Sequence, residues 1–418
     1  MQDNSPQFDQ MGRSLQIQSI DQWQRPQSDQ FQSANRIVAE MVLELDRIGP
    51  EFLISKSEEL DGFQPKIINL LPFESYALDP HLKQHLRVAA RRIERFAKSQ
   101  RESLVDLSFS DECGSYGHRF LPMETAGCYI PGGRFPLVSS ALMTLIPAKI
   151  AGVGNRIAVS PSSHPAIQAA ASLAGATHFL QMGGAQAILA LARGFMGLPK
   201  AQIICGPGNA FVNAAKAKVQ DQVKIDSLAG PSEILVLADA ETPVEFVVQD
   251  LLAQAEHDPM ALSVCAAIDR TFLEAIQAEL RQHPVDQIGD CHLLQAETQD
   301  ELVEFSNKMA PEHLLVTNPE RISVNELVNY GSLFLGEWSA VALGDYCSGP
   351  NHTLPTNGFA SLSGGLSVGD FLRTLTWQQM KPTPEYMDLS ETASTLAQLE
   401  GLSHHEESIR VRVKQLKT

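Results

Sequence analysis

Two hydrophobic periodicities divide this chain. In "SANRIVAEMVLELDRIG" (33–49) and "DPHLKQHLRVAARRIERFAKSQRESL" (79–104) apolar residues recur every three or four positions, predicting amphipathic helices with Ser33 and Asp79 as N-caps. Between about 125 and 240 the texture changes to short apolar runs separated by helical stretches: "GCYIPGG", "RIAVSP", "THFLQMGG", "QIICGPGN" and "EILVLAD". Strand–helix alternation of this kind predicts a parallel α/β sheet.

A further helix is signposted at 242–257. Thr242 and Glu245 have capping-box spacing, Pro243 sits at the first helical position, and Pro259 follows the end. Val244, Val247, Val248, Leu251, Leu252 and Ala255 form one apolar stripe, which leaves Gln254 and His257 together on its flank. After about 300 come another α/β stretch, a glycine-rich loop region (344–370) and a terminal helix, "DLSETASTLAQLEGLSHHEESIRVRV", with Asp388 and Glu391 as its capping pair. The first thirty residues, rich in Gln, Asp and Ser, read as a loosely attached polar arm.

Composition narrows the function classes. A chain of 418 residues takes more than one core, and 44% hydrophobic with 19% charged residues is ordinary for a globular protein. The net charge of −17 repels phosphate backbones, so nucleic acid is not expected as a partner. Six cysteines stand singly without a CxxC pair, which fits a reducing compartment, and no secretory signal or membrane span is visible. A cytoplasmic location is expected.

Three strands run into glycine turns and then helices, at "CYIPGGRFPLVSS", "FLQMGGAQAIL" and "IICGPGNAFVN". Such turns let backbone N–H groups approach a phosphate, and three in succession favour a nucleotide over simple tight turns, although no GxGxxG fingerprint follows a strand. "MAPEHLLV" sets Glu312 beside His313 at a strand start, a pairing suited to general acid–base work or to a plain surface turn. Gln254, His257, Asp345, His352, Glu400, His404 and His405 make up an N/O set suited to zinc, but spacing alone does not join their segments. Cys128 and Cys347 could act as nucleophiles on an aldehyde, yet read better as small buried hydrophobes.

In order along residues 114–412, the blocks "GCYIPGGRFPLVSSALMTLIPAKIAGV", "MGGAQAI", "GPGNAFV", "IDSLAGPSEILVLAD", "DLLAQAEH", "APEHL", "GSLFLG", "GDYCSGPNHTLPT", "GLSVGDFLRTLTW" and "EGLSHHEESIRVR" resemble the signature blocks of the histidinol dehydrogenase family. The resemblance implies a zinc- and NAD-dependent oxidation of L-histidinol to L-histidine through an aldehyde, with two NAD used in turn. It implies one zinc per subunit on Gln254, His257, Asp345 and His405, and a catalytic pair in Glu312 and His313. Substrate contacts would include Ser232, His352 and Glu400 as well as the metal ligands and His313. NAD contacts would be Tyr129, Gln186 and Asn209. The implied fold is α/β, two Rossmann-like halves akin to aldehyde dehydrogenases, working as a homodimer whose tail reaches the partner's site.

On this basis the chain is expected to divide into an arm (1–30), a first half with the metal and catalytic residues (31–128 with 231–370), an NAD-binding half (129–230) and a helical dimerisation tail (371–418). One departure is "SAVAL" before Gly344, where the family carries an acidic residue. A paralogue oxidising another small polar alcohol, such as a sulfonated diol, is the alternative reading, with a zinc hydrolase behind it.

Overall fold

The computed structural model describes residues 15–26, 30–132, 135–228, 230–283 and 289–416. Most of the expected arm (1–14 and 27–29), like Gly133 of the first glycine turn, lies outside the described residues. The chain divides into two units, one of residues 1–101 with 123–371 and one of residues 102–122 with 372–418.

The larger unit holds two six-stranded sheets. In the first, the strands run in the order Ile17–Ser19, Asp290–Gln295, Leu262–Ala267, Glu233–Leu237, His313–Val316 and Ser332–Leu335, all parallel. The inner strands are apolar along their whole length because helices cover both faces, as a parallel sheet requires. The second sheet runs Lys66–Ile68, His178–Gln181, Asn155–Ser160, Thr125–Tyr129, Ile203–Cys205 and Lys224–Ile225; only its first pair is antiparallel. Their parallel strands are what the hydrophobic runs predict, and their Rossmann-like order is what the family resemblance implies.

The partition of residues differs from the expected one. Ala34, Val38, Met41, Leu45, Phe52 and Leu53 bury against the second sheet, and Lys66–Ile68 and Thr125–Tyr129 are strands of it. Much of 31–128 therefore packs with the 129–230 half, because the apolar stripe of Gln30–Ile48 finds its complementary face there. The arm differs too. Residues 17–19 add an edge strand to the first sheet, Ile20 enters its core, and Trp23 meets Phe305 edge-on at 5.4 Å. Alternating Leu15, Ile17 and Ile20 bury enough apolar surface to fix this segment.

Local signals fare unevenly. Asp79 caps its helix through the N–H groups of His81 and Leu82, whereas Ser33 lies inside Gln30–Ile48. Thr242 is not a cap: its hydroxyl donates to Thr317 at 2.8 Å, and the helix Val244–Ala255 starts after Pro243.

The smaller unit has an antiparallel sheet of Leu372–Met380, Gly114–Pro122 and Leu107–Ser110, followed by two helices. The tail thus begins as a strand. Its helical part is Pro384–Leu399 and Ser403–Leu416, broken at Gly401, whose φ of 71° suits glycine. Asp388 and Glu391 sit inside the first of these helices and cap nothing.

Candidate active site

In the first sheet the strands Glu233–Leu237 and His313–Val316 are parallel neighbours, with Ile234 opposite His313. Ser232, Glu233, Glu312 and His313 thereby meet at the amino edge of the sheet. The helix Val244–Ala255 runs back along the sheet and delivers Gln254 and His257 to the same edge, which answers why an apolar helix ends in polar groups.

Glu312 and His313 are 5% and 4% exposed. Glu312 Oε2 accepts the Glu233 N–H at 2.8 Å and lies 3.6 Å from His313 Nδ1. His313 Nδ1 in turn donates to the Glu233 carbonyl at 3.2 Å, and His313 Nε2 faces Asp345 Oδ1 at 3.4 Å. Burial pushes the Glu312 carboxyl up to about 7, against the opposing pull of His313 and a hydrogen bond from Ser232. For His313, burial opposes the charged ring, but Glu312 and Asp345 together raise it above the ordinary imidazole value. A carboxyl poised near neutrality beside an imidazole is what proton transfer at neutral pH needs.

Asp345 lies on the short helix Val341–Tyr346. The Val341 N–H is taken by Asp250, which burial pushes up to about 6. An acidic group therefore does stand at the "SAVAL" departure, supplied by the 244–255 helix. His352 Nδ1 donates to the Asp345 carbonyl at 2.8 Å; its Nε2 is buried without a partner, and burial lowers its pKa, favouring the neutral ring.

A metal fits these donors. The Gln254 amide is 2% exposed and its Nε2 has no partner; turned over, the amide would present its oxygen, the ligating atom, at that position. His257 Nδ1 donates to Ala253 O at 2.9 Å, so its Nε2 lone pair is left for an ion, the usual arrangement for a ligating histidine. Among the described residues, no group of three or more His, Cys, Asp and Glu is gathered closely enough to hold an ion. Glu400 and His405 belong to the smaller unit, where both are exposed.

The nucleotide candidates lie at the carboxyl edge of the second sheet. Tyr129 ends its strand, and its hydroxyl, pushed up to about 12 by burial, accepts the Gly184 N–H at 3.2 Å. Gln186 is buried, donates to Asp61 at 3.1 Å and keeps an unpartnered Oε1, a free acceptor. Asn209 is exposed, and its Oδ1 is already spent on the N–H groups of Phe211 and Val212.

The phosphate cradle read from the glycine turns is only partly supported. Asp61 accepts the Gly183 N–H at 3.0 Å, and Asp226 accepts the Gly206 N–H at 2.8 Å. Own carboxylates hold two of the amides that a phosphate would use. Asp226 is itself paired with the buried Lys216 at 2.6 Å, and Lys216 also donates to Gly206 O. Gly206 cannot be replaced here, since its φ is 118° and a Cβ would lie 2.0 Å from Tyr129 O. Cys128 is fully buried with its Sγ 3.8 Å from Cys205, a packing position rather than a nucleophile's, and Cys347 is half-buried.

The sequence reading passed over Glu233, Asp250, Asp61, Asp226 and Lys216. Glu233 had a signal: a carboxylate opening the apolar run "EILVL" must find a partner when buried. Asp61 and Asp250 had none, because their partners are distant in sequence, and the ten-residue spacing of Lys216 and Asp226 matches no local pairing pattern.

No helix among the described residues is long and apolar enough to cross a membrane. The family model for histidinol dehydrogenase matches residues 24–413. The histidinol dehydrogenase of Prochlorococcus marinus strain MIT 9313 is 41% identical over 389 residues, 87% of this chain and 86% of that protein. That of Methanocaldococcus jannaschii is 37% identical over 404 residues, covering 92% and 94%. The crystal structure of histidinol dehydrogenase from Elizabethkingia anophelis superposes with a TM-score of 0.83 at 31% identity, covering 96% of this chain and 95% of that one. With matches of this length and identity, the chain belongs to the histidinol dehydrogenase family, NAD-dependent oxidoreductases acting on an alcohol and its aldehyde.

Proposed function

We propose that this protein oxidises L-histidinol to L-histidine through histidinal, reducing two NAD in turn, in cytoplasmic histidine biosynthesis. The observation that carries the reading is the buried Glu312–His313 pair facing Asp345, with Gln254 and His257 on the helix that ends at the same sheet edge.

Zinc, one per subunit, would be held by Gln254, His257, Asp345 and His405, and when bound supplies a Lewis-acid grip on the substrate's amine and imidazole nitrogens. Glu400 and His405, exposed on the smaller unit, suit a homodimer in which each tail completes the other subunit's site. NAD would be held near Tyr129, Gln186 and Asn209 and, when bound, would supply the hydride acceptor.

The protein's own groups move the protons. His313 Nδ1 is committed to the Glu233 carbonyl, so Nε2 takes the alcohol proton as the carbon-bound hydrogen leaves as hydride. Glu312 then takes a proton from the water that adds to the aldehyde carbon, giving the hydrate from which the second hydride departs. Ser232, bonded to Glu312, and the unpartnered His352 Nε2 orient the substrate with Glu400.

The test is turnover. Zinc-loaded protein given L-histidinol and NAD should form two NADH per histidine, and Glu312→Gln should spare alcohol oxidation more than histidinal oxidation. Absence of histidinol turnover alongside activity on a sulfonated diol would move the protein to the paralogue reading. Equal losses in the two half-reactions would remove the assigned role of Glu312.

A further inference from the structure

Glu233 is 2% exposed and is the hub of the catalytic edge. Its N–H donates to Glu312 Oε2 at 2.8 Å, its carbonyl accepts from His313 Nδ1 at 3.2 Å, and its Oε1 accepts the Asn357 N–H at 2.9 Å. The remaining oxygen, Oε2, is ion-paired with Arg25. The other arm of the Arg25 guanidinium donates to Met309 O at 2.5 Å. Met309 ends a helix; Ala310 then turns through a left-handed φ of 46°, and Pro311 leads straight into Glu312. One guanidinium thus holds the residue beneath the catalytic pair and the turn that launches it.

Arg25 is fixed in its turn. Its segment is anchored by the strand Ile17–Ser19, by Ile20 in the core and by Trp23 against Phe305. Burial pushes the Arg25 pKa down to about 10, which still leaves it charged at neutral pH. A planar, bidentate donor of this kind is not replaceable by a point charge.

We infer that Arg25 is a positioning residue of the active site: through Glu233 and Met309 O it sets where the Glu312 carboxyl and the His313 ring stand, so the N-terminal segment is part of the catalytic apparatus. The inference rests on the proposed reaction for its kinetic readout, and on hydrogen exchange for a readout that does not need it.

The experiment compares wild type, Arg25→Gln, Arg25→Lys, Glu312→Gln and the Arg25→Gln/Glu312→Gln double variant in zinc-loaded full-length protein. Arg25→Gln should lower kcat for histidinal oxidation about 10- to 100-fold, the scale of a small misplacement of reacting groups, with KM little changed. The loss should shrink in the Glu312→Gln background, because Arg25 acts largely through that carboxyl. Exchange should quicken in peptides covering 230–236 and 354–360 but not in 155–160.

Should Arg25→Gln fail to fold, Arg25→Lys keeps the charge on Glu233 and loses the two-armed grip; it should fold and show a smaller loss of the same kind. An unchanged kcat with unchanged exchange in either folded variant overturns the inference. So does an equal loss with and without Glu312, which would make Arg25 a fold stabiliser only. A wild type inert on histidinol defeats the proposed function, while the exchange arm still decides whether Arg25 governs the Glu233 network.

Discussion

Replacing Glu312 by Gln should make the metal-stripped protein more stable at pH 8 while crippling aldehyde oxidation. Glu312 sits at 5% exposure, and its pKa rises from the ordinary 4.5 to about 7. A folded state that raises a carboxyl's pKa holds its proton more tightly than the unfolded chain does. The carboxyl therefore adds no penalty below pH 4.5, and the penalty grows as pH rises, levelling off above about 7. Each pH unit in that window is worth about 1.4 kcal/mol, so the ionised carboxylate costs the fold on the order of 3 kcal/mol at pH 8. Glutamine keeps the acceptor for the Glu233 N–H and removes the charge. Urea unfolding of both proteins at pH 5 and pH 8, with zinc chelated, measures the difference. The variant should gain at pH 8 and differ little at pH 5. If it is no more stable than wild type at pH 8, the burial argument for Glu312 is wrong. Catalysis runs the other way: with zinc restored, Glu312→Gln should lose most histidinal oxidation, because an amide cannot take the proton of the attacking water.

The other predictions concern the metal, the glycine turn and the tail. Asp345→Asn and His257→Asn should each lose most bound zinc with circular dichroism unchanged, since neither side chain belongs to a core; zinc retained at wild-type level after dialysis would contradict the ligand set. Lys216→Met should destabilise by about 3–5 kcal/mol in denaturant melts, because it strands the buried Asp226 carboxylate; a loss below 1 kcal/mol would mean the pair is not buried as described. His257→Asn and His405→Asn homodimers should be nearly inactive, while a heterodimer of the two should recover about half of wild-type activity through its one sound site. Activity that stays at the single-variant level would place His405 in its own subunit's site.

Much of the fold was legible because parallel strands buried on both faces must be apolar throughout. "RIAVS", "HFLQ", "IIC" and "EILVL" were readable for that reason. Signals with two physical outlets were not. Thr242 could cap a helix or bond across to Thr317, and tertiary contact decided. "LRTLTWQQM" is a strand without a clean polar–apolar alternation, and most of its residues stay exposed, so it passed for part of a helical tail. The arm looked polar because its few apolar residues alternate among glutamines. At the site, the joining of Gln254 and His257 to Asp345 came from the resemblance, since spacing carries no information on contacts between distant segments. Arg25 and Asp61 were invisible for the same reason: each finds its partner more than a hundred residues away.

Asp61 and Asp226 standing on the amides of Gly183 and Gly206 bear on how long a nucleotide stays. In most enzymes with such turns the diphosphate is the firmest handle, and dissociation is slow because several charged hydrogen bonds must break together. Here two of those handles are taken before any nucleotide arrives, and the resident carboxylates repel its charge. On the proposed reading, the residence of a bound nucleotide is brief as a result. For an oxidation that needs two fresh oxidants in succession, that is an advantage. On the same reading, spent dinucleotide leaves the carboxyl edge of one sheet and is replaced while the aldehyde waits at the amino edge of the other, held by groups that take no part in the exchange.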